Sequence, residues 1–126
     1  MAKIRIAQNA TFTAPVLIPI VGSTPEKVEF TFKYRDRAEL AALFDEWNEK
    51  RKKAQAALGD KPSWSEIVAV DTEQQTQQIK DLVVSWGFDD EYSDANIVAF
   101  VKSCQGAAEA VVKAHEGAYS QARLGN

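Results

Sequence analysis

The spacing of apolar residues divides the chain into two parts. Up to residue 35, apolar and polar residues alternate as they do in strands, whereas from residue 36 onward the apolar residues recur with helical spacing. The clearest strand, 28–35, has an apolar face made of Val28, Phe30, Phe32 and Tyr34. Because its other face is polar, this strand is typical of an antiparallel sheet with one buried side.

Two weaker strands are predicted before it. Ile4 and Ile6 indicate a short first strand, and the apolar run around Pro15 and Pro19 indicates a second. Proline cannot donate a backbone hydrogen bond, so this second strand is expected at a sheet edge or as an extended arm. We therefore expect residues 1–35 to form a small antiparallel meander of two or three strands.

The rest of the chain predicts four or five packed helices. Their apolar stripes have members three, four and seven residues apart, or close to it. The stripes contain Leu40, Leu43, Phe44 and Trp47; Ile79, Leu82, Val83 and Trp86; Ile97, Phe100, Val101 and Cys104; and Val111, Val112, His115 and Tyr119. The predicted fold is α+β, with one domain over 1–126 that is β-rich in 1–35 and helical in 36–126.

Capping residues place the helix ends. Asp36 is a predicted N-cap, and Gly59 is expected to end the helix that Asp36 begins. Ser63 and Glu66 have the spacing of a capping box at the start of the next helix. A further cap at Asp71 would make the stretch after Ser63 a short separate turn.

Composition and charge restrict the function. The 126 residues are 45% hydrophobic and 26% charged, which is typical of one globular domain. Eighteen acidic and fifteen basic residues give a net charge of −3, which argues against a general nucleic-acid binder. The longest apolar run, 15–21, is far shorter than the roughly 18 residues that span a bilayer. With one cysteine, we expect a soluble protein of a reducing compartment.

The reactive side chains do not form a recognisable catalytic set. Cys104 and His115 are eleven residues apart, which is about 16 Å on a continuous helix. We interpret Cys104 as a core residue and His115 as a partly buried interface residue. The acids Asp89, Asp90 and Glu91 are consecutive, as in a solvated loop, although a metal-dependent hydrolase or nuclease is an alternative. We predict no catalytic residue, metal or cofactor.

Two surface features suggest protein binding. The basic run Lys50, Arg51, Lys52 and Lys53 has three interpretations: a solvated helix end, a surface for an acidic partner, or a nucleic-acid site. The chain also contains three tryptophans. We expect the core to bury two of them, and a tryptophan left at the surface would be a good protein-binding anchor.

Two segments of the second half have a distinctive order of residues. The first is Val83-Val84-Ser85-Trp86, an acidic loop, and Tyr92-Ser93-Asp94-Ala95-Asn96-Ile97. The second is the alanine-rich stretch 107–111, followed by Tyr119 and by Arg123-Leu124-Gly125-Asn126. In this order and spacing, residues 79–126 resemble the phage tail assembly chaperones, and residues 36–60 resemble them loosely.

The resemblance implies a non-enzymatic role in building the tail of a lambda-like siphophage. Such late proteins act in the host bacterial cytoplasm and are absent from the finished particle. They bind the tape measure protein, keep it soluble and help to recruit tail tube subunits. Many also have a longer product made by programmed frameshifting, and relatives can self-associate into open spirals.

Under this hypothesis the client-binding residues lie in three places. They are Trp86, Phe88 and Tyr92 around the acidic loop; Val112, His115 and Tyr119 on the last helix; and the basic run Lys50, Arg51, Lys52 and Lys53. The alternative is a structural minor tail or head–tail connector protein that remains in the particle. Its support is the N-terminal sheet, whose edge could join a neighbouring sheet.

Overall fold

The computed structural model describes residues 10–124, which form one three-stranded antiparallel sheet and four helices. The strands are β1 (Thr11–Ile18), β2 (Glu26–Lys33) and β3 (Val83–Trp86). The helices are α1 (Arg37–Leu58), α2 (Trp64–Leu82), α3 (Asp94–Ser103) and α4 (Ala107–Leu124). The predicted α+β class is confirmed, and the predicted strand at Ile4 and Ile6 lies outside the described residues.

The sheet has one buried and one exposed face. In the order β1-β2-β3, β1 lies at an edge of the described sheet, as the prolines predicted. Val16 of β1 pairs with Val28 of β2, and this register places Val16, Phe30 and Phe32 on one side. All three are fully buried, whereas Leu17 on the opposite side is 59% exposed. The alternation in the sequence therefore predicted the buried face correctly.

The third strand corrects a helix prediction. Ile79 and Leu82 are buried at the end of α2, but Val83 has extended backbone angles and the chain continues as β3. Ser85 and Trp86 pair with β2, next to a register shift. The apolar spacing fits a helix through Trp86. The edge of β2 offers backbone hydrogen bonds that a local pattern cannot reveal, and the β-branched Val83 and Val84 favour a strand.

The helix starts follow the sequence, with one correction. Asp36 and Ser63 both form complete capping boxes, with Glu39 and Glu66 respectively. The predicted break at Asp71 is wrong, because α2 runs continuously from Trp64 to Leu82. The 19 residues of α2 contain neither glycine nor proline, the two residues that most strongly disfavour a helix, so the helix continues without a break.

Most of α1 and the first part of α2 lie outside the core. The core lies between the buried face of the sheet and the helices, where α4 packs on β1 and α2, and α2 packs also on α3. The one buried residue of α1 is Leu43, and those of α2 are Ile79 and Leu82, close to its end. The α1–α2 hairpin therefore leaves apolar side chains in contact with solvent.

Candidate functional site

The predicted loop aromatics lie together at one end of the sheet. The ring centroid of Trp86 is 5.0 Å from that of Tyr92 and 5.2 Å from that of Phe88. Phe88 also packs on the core rings of Phe30, at 5.9 Å, and Phe100, at 5.3 Å. Most of these pairs meet edge to face, the favourable arrangement for aromatic rings. The sequence therefore identified a real cluster, and the cluster is continuous with the core.

Hydrogen bonds connect this cluster to the backbone around it. The indole Nε1 of Trp86 donates to the carbonyl of Asp90 at 2.8 Å, and the hydroxyl of Tyr92 donates to the carbonyl of Val83 at 2.7 Å. Burial, with a smaller contribution from the charge of Asp94, raises the pKa of Tyr92 to about 12. The polar groups of both rings are thus engaged within the chain, and they fold the acidic loop back over the end of the sheet.

His115 lies inside the molecule. Its side chain is 1% exposed, and its ring is 5.8, 5.4 and 4.9 Å from the rings of Phe12, Phe32 and Tyr119. Burial, assisted by the positive charge of Arg35, lowers the pKa of His115 to about 4. The imidazole is therefore neutral at pH 7, and its Nε2 has no hydrogen-bond partner among the described residues.

Tyr119 connects α4 to the segment between β2 and α1. Its hydroxyl accepts a hydrogen bond from the backbone N–H of Arg35 at 3.0 Å and donates one to the carbonyl of the same residue at 3.2 Å. These bonds join positions 84 residues apart in sequence. The arrangement makes Tyr119 a clamp between the last helix and the sheet.

We expect Tyr119→Phe to lower the free energy of unfolding by about 1–2 kcal/mol, because two part-buried backbone groups lose their partner. Urea unfolding followed by circular dichroism measures this. Tyr34→Phe is the control: it removes the same group from a ring 5.8 Å away and leaves the Arg35 bonds intact. Equal stability of the Tyr119→Phe variant and the unmodified protein would contradict the clamp.

Val112, the remaining predicted residue of the last helix, lines an open groove. This inter-helix groove lies between α1, α2 and α4 and has a volume of about 360 Å³. Phe44 and Trp47 of α1 and Val112 of α4 supply its apolar surface. The centroids of the two aromatic rings are 5.5 Å apart, and Phe44 is 40% exposed. Apolar side chains thus line an opening that is accessible from solvent.

Hydrogen bonds fix the tryptophan of the groove. Trp47 Nε1 donates to Asp81 Oδ2 at 2.7 Å, and Gln77 Nε2 donates to Asp81 Oδ1 at 2.9 Å. One carboxylate of α2 therefore orients the indole of α1 and an amide of the groove wall. Gln74 and Gln78 also line this wall, which is uncharged.

The charged residues of the groove lie on its two other helices. Lys50 and Arg51 of α1 and Glu116 of α4 are lining residues. Lys50 makes an exposed ion pair with Glu46 at 3.1 Å. The other two members of the predicted basic run, Lys52 and Lys53, are exposed on α1 and are not among the lining residues.

Part of this surface differs from what the sequence predicted. The apolar stripe of α1 predicted Phe44 and Trp47 as core residues, whereas both line the groove. Their position directly before the basic run was a usable signal that the helix leaves the core there. Trp47 and Trp86 are partly buried and pack against the core, whereas Trp64 is 83% exposed at the start of α2, so one tryptophan is left at the surface.

The structure adds little to the catalytic alternative. Asp89, Asp90 and Glu91 are exposed in the loop after β3, and no group of three or more metal-ligating side chains occurs in the described part of the chain. Cys104 is half-buried at the end of α3. Within residues 10–124, none of the helices has the length and apolarity needed to cross a membrane.

Comparison with known proteins identifies the family. A family model described as phage tail assembly chaperone matches residues 1–126, the whole chain. No curated protein and no solved structure matches the chain. The family match extends the resemblance seen in residues 79–126, and loosely in residues 36–60, to the whole chain. The protein therefore belongs to the family of phage tail assembly chaperones.

Proposed function

We propose that this protein is a non-enzymatic chaperone that binds a helical segment of the tape measure protein in the inter-helix groove. The observation that carries the proposal is the solvent-accessible apolar surface of Phe44, Trp47 and Val112 in a member of this family. A rod-like helical client exposes apolar faces until the tail tube encloses it. Covering these faces would keep the client soluble.

The groove suits a helix rather than an extended peptide. Its apolar residues come from two helices that both pack on α2, and a helix-in-groove complex places the apolar stripe of the ligand on such a surface. The apolar area is small, so a single contact should be weak and reversible. Many copies along one client would add retention through avidity, and tail tube subunits could still displace them one by one.

The wider assignment follows the resemblance. We propose that the protein acts in the host bacterial cytoplasm, helps to recruit the tail tube protein, is absent from the finished particle and self-associates into an open array. Of the sequence-predicted contacts, Val112, Lys50 and Arg51 line the groove and become its central residues. The other aromatic residues and the histidine would support the binding surface indirectly, by stabilising the fold: Trp86, Phe88, Tyr92, His115 and Tyr119. The remaining basic residues, Lys52 and Lys53, would contribute their positive charge.

A matched pair of substitutions tests the groove. Phe44 and Trp64 are both exposed aromatic residues on helices, but Trp64 is not among the groove residues. We expect Phe44→Glu to weaken binding of the tape measure protein at least tenfold, because it places a charge in the apolar surface. We expect Trp64→Glu to leave binding within about twofold. Co-expression, solubility and co-purification of the client measure the effect.

The opposite pattern would move the site. If Trp64→Glu abolishes binding and Phe44→Glu does not, the end of the α1–α2 hairpin, with Trp64 and Val68, is the docking surface instead. Circular dichroism and thermal unfolding of both variants ensure that the comparison is made between folded proteins. Neither substituted residue is buried, so both should fold normally.

The edge strand β1 supports one alternative, a structural tail or connector protein that pairs its sheet with a neighbour. Mass spectrometry of purified particles separates the two functions. The chaperone proposal expects no stoichiometric amount of this chain in the particle, and finding such an amount would reject it.

A further inference from the structure

We infer that the inter-helix groove fixes the direction of the helix it binds, because its two charged walls have opposite sign. The preferred ligand is an amphipathic helix with acidic side chains on one flank of its apolar stripe and basic side chains on the other. This inference rests on the proposed function and adds the chemistry of the client segment.

The α1 wall is positive. Arg51 donates one hydrogen bond, from Nη2 to Asn48 Oδ1 at 2.6 Å, and a guanidinium has five N–H donors. Its remaining donors are suited to a carboxylate of the ligand. Lys50 stands beside it, and its partner Glu46 is 56% exposed, so this pair is weak and can rearrange.

The α4 wall is negative. Glu116 is exposed one helical turn after Val112, and it lies within 4.0 Å of no basic group among the described residues. Glu109, the acidic residue two turns earlier on the same helix, accepts a hydrogen bond from the amide of Gln75 at 2.6 Å and is not among the lining residues. A basic side chain of a ligand next to Val112 would therefore find Glu116 free to pair.

The α2 wall does not compete with this charge pattern. Its lining residues Gln74, Gln77 and Gln78 are neutral, and the buried Nε2 of Gln74 has no acceptor among the described residues. Turning a helix end to end while its apolar stripe stays in the groove exchanges its two flanks. In the wrong direction the acidic flank would therefore face Glu116 and the basic flank Arg51, which is repulsive on both sides.

A designed peptide tests the inference. The probe is a helical peptide with a leucine stripe, glutamates along one flank and lysines along the other, labelled with a nitroxide at its N-terminus. At low salt, the pair Lys50→Glu with Arg51→Glu, or Glu116→Lys alone, should weaken its binding about fivefold, because both walls then have the same sign. The triple variant Lys50→Glu, Arg51→Glu and Glu116→Lys, in which both walls are reversed, should restore the affinity to within about twofold.

The label reports the direction. Paramagnetic broadening of the amide signals of α1 should be strongest at one end of the groove in the unmodified protein and at the opposite end in the triple variant. Additive losses in the triple variant, or an unchanged broadening pattern, would overturn the inference. If Phe44→Glu abolishes peptide binding but the charge variants have no effect, the groove is correct and its directionality is wrong. If Phe44→Glu has no effect, the proposed function itself fails.

Discussion

Replacing Trp86 by alanine is expected to lower the free energy of unfolding by about 3 kcal/mol. The indole packs at 5.6 Å from Phe100 and 6.2 Å from Phe30, and its Nε1 bonds to the carbonyl of Asp90. Truncation would remove these aromatic contacts, leave a cavity at the end of the sheet and release the acidic loop. Urea unfolding followed by circular dichroism at 222 nm measures this free energy. The signal comes from the helices and does not rely on tryptophan fluorescence, which the substitution itself changes.

Trp64→Ala is the matched control. It removes the same side chain from a position that is 83% exposed, so its stability should stay within about 0.5 kcal/mol of the unmodified protein. Equal losses for Trp86→Ala and Trp64→Ala would show that the loop cluster contributes nothing special. The contrast matters for function, because a client-binding defect of a Trp86 variant would report on folding as well as on contact.

The second large effect is a loss of stability in mild acid that depends on His115. The imidazole has a pKa of about 4 in the folded protein, against the ordinary 6.5. Between these pH values the unfolded chain binds a proton that the folded protein does not. The free energy of unfolding therefore falls as the pH decreases through this range, and the full contribution of His115 is present above about pH 6.5. The loss from this group should reach roughly 3 kcal/mol at pH 4.

Substituting His115 isolates this contribution from that of the carboxylates. His115→Leu has a similar volume and cannot ionise, and it removes the unpartnered Nε2. We expect this variant to match the unmodified protein at pH 7 and to be more stable at pH 4.5 by urea unfolding. His115→Met provides a second variant if leucine packs poorly among the surrounding rings. Parallel pH profiles for the unmodified protein and both variants would contradict the prediction.

Several features could be predicted because their causes are local. The capping boxes at Asp36 and Ser63 depend on residues three positions apart, and the buried face of β2 depends on a period of two. The end of α1 at Gly59, where φ is +77°, also follows from one residue type. The order of residues 79–126 was sufficient to suggest the family.

The candidate site was less predictable, because it depends on what the rest of the chain covers. Phe44 and Leu43 belong to the same apolar stripe, yet Leu43 is buried and Phe44 borders the groove. His115 and Val112 also belong to one stripe, and there the histidine is the buried residue. Periodicity identifies the apolar side of a helix, but it does not indicate how much of that side another element occupies.

The sequence by itself therefore determined the α+β class, the buried face of β2 and the starts of α1 and α2, and it suggested the family. Tertiary structure alone decided that Val83–Trp86 joins the sheet as β3, that the rings around Trp86 are tied into the core, and that α1, α2 and α4 enclose a groove. The physical reason is range. Caps and alternation act between residues a few positions apart, whereas strand pairing and burial are set by segments distant in sequence that meet only in the folded protein.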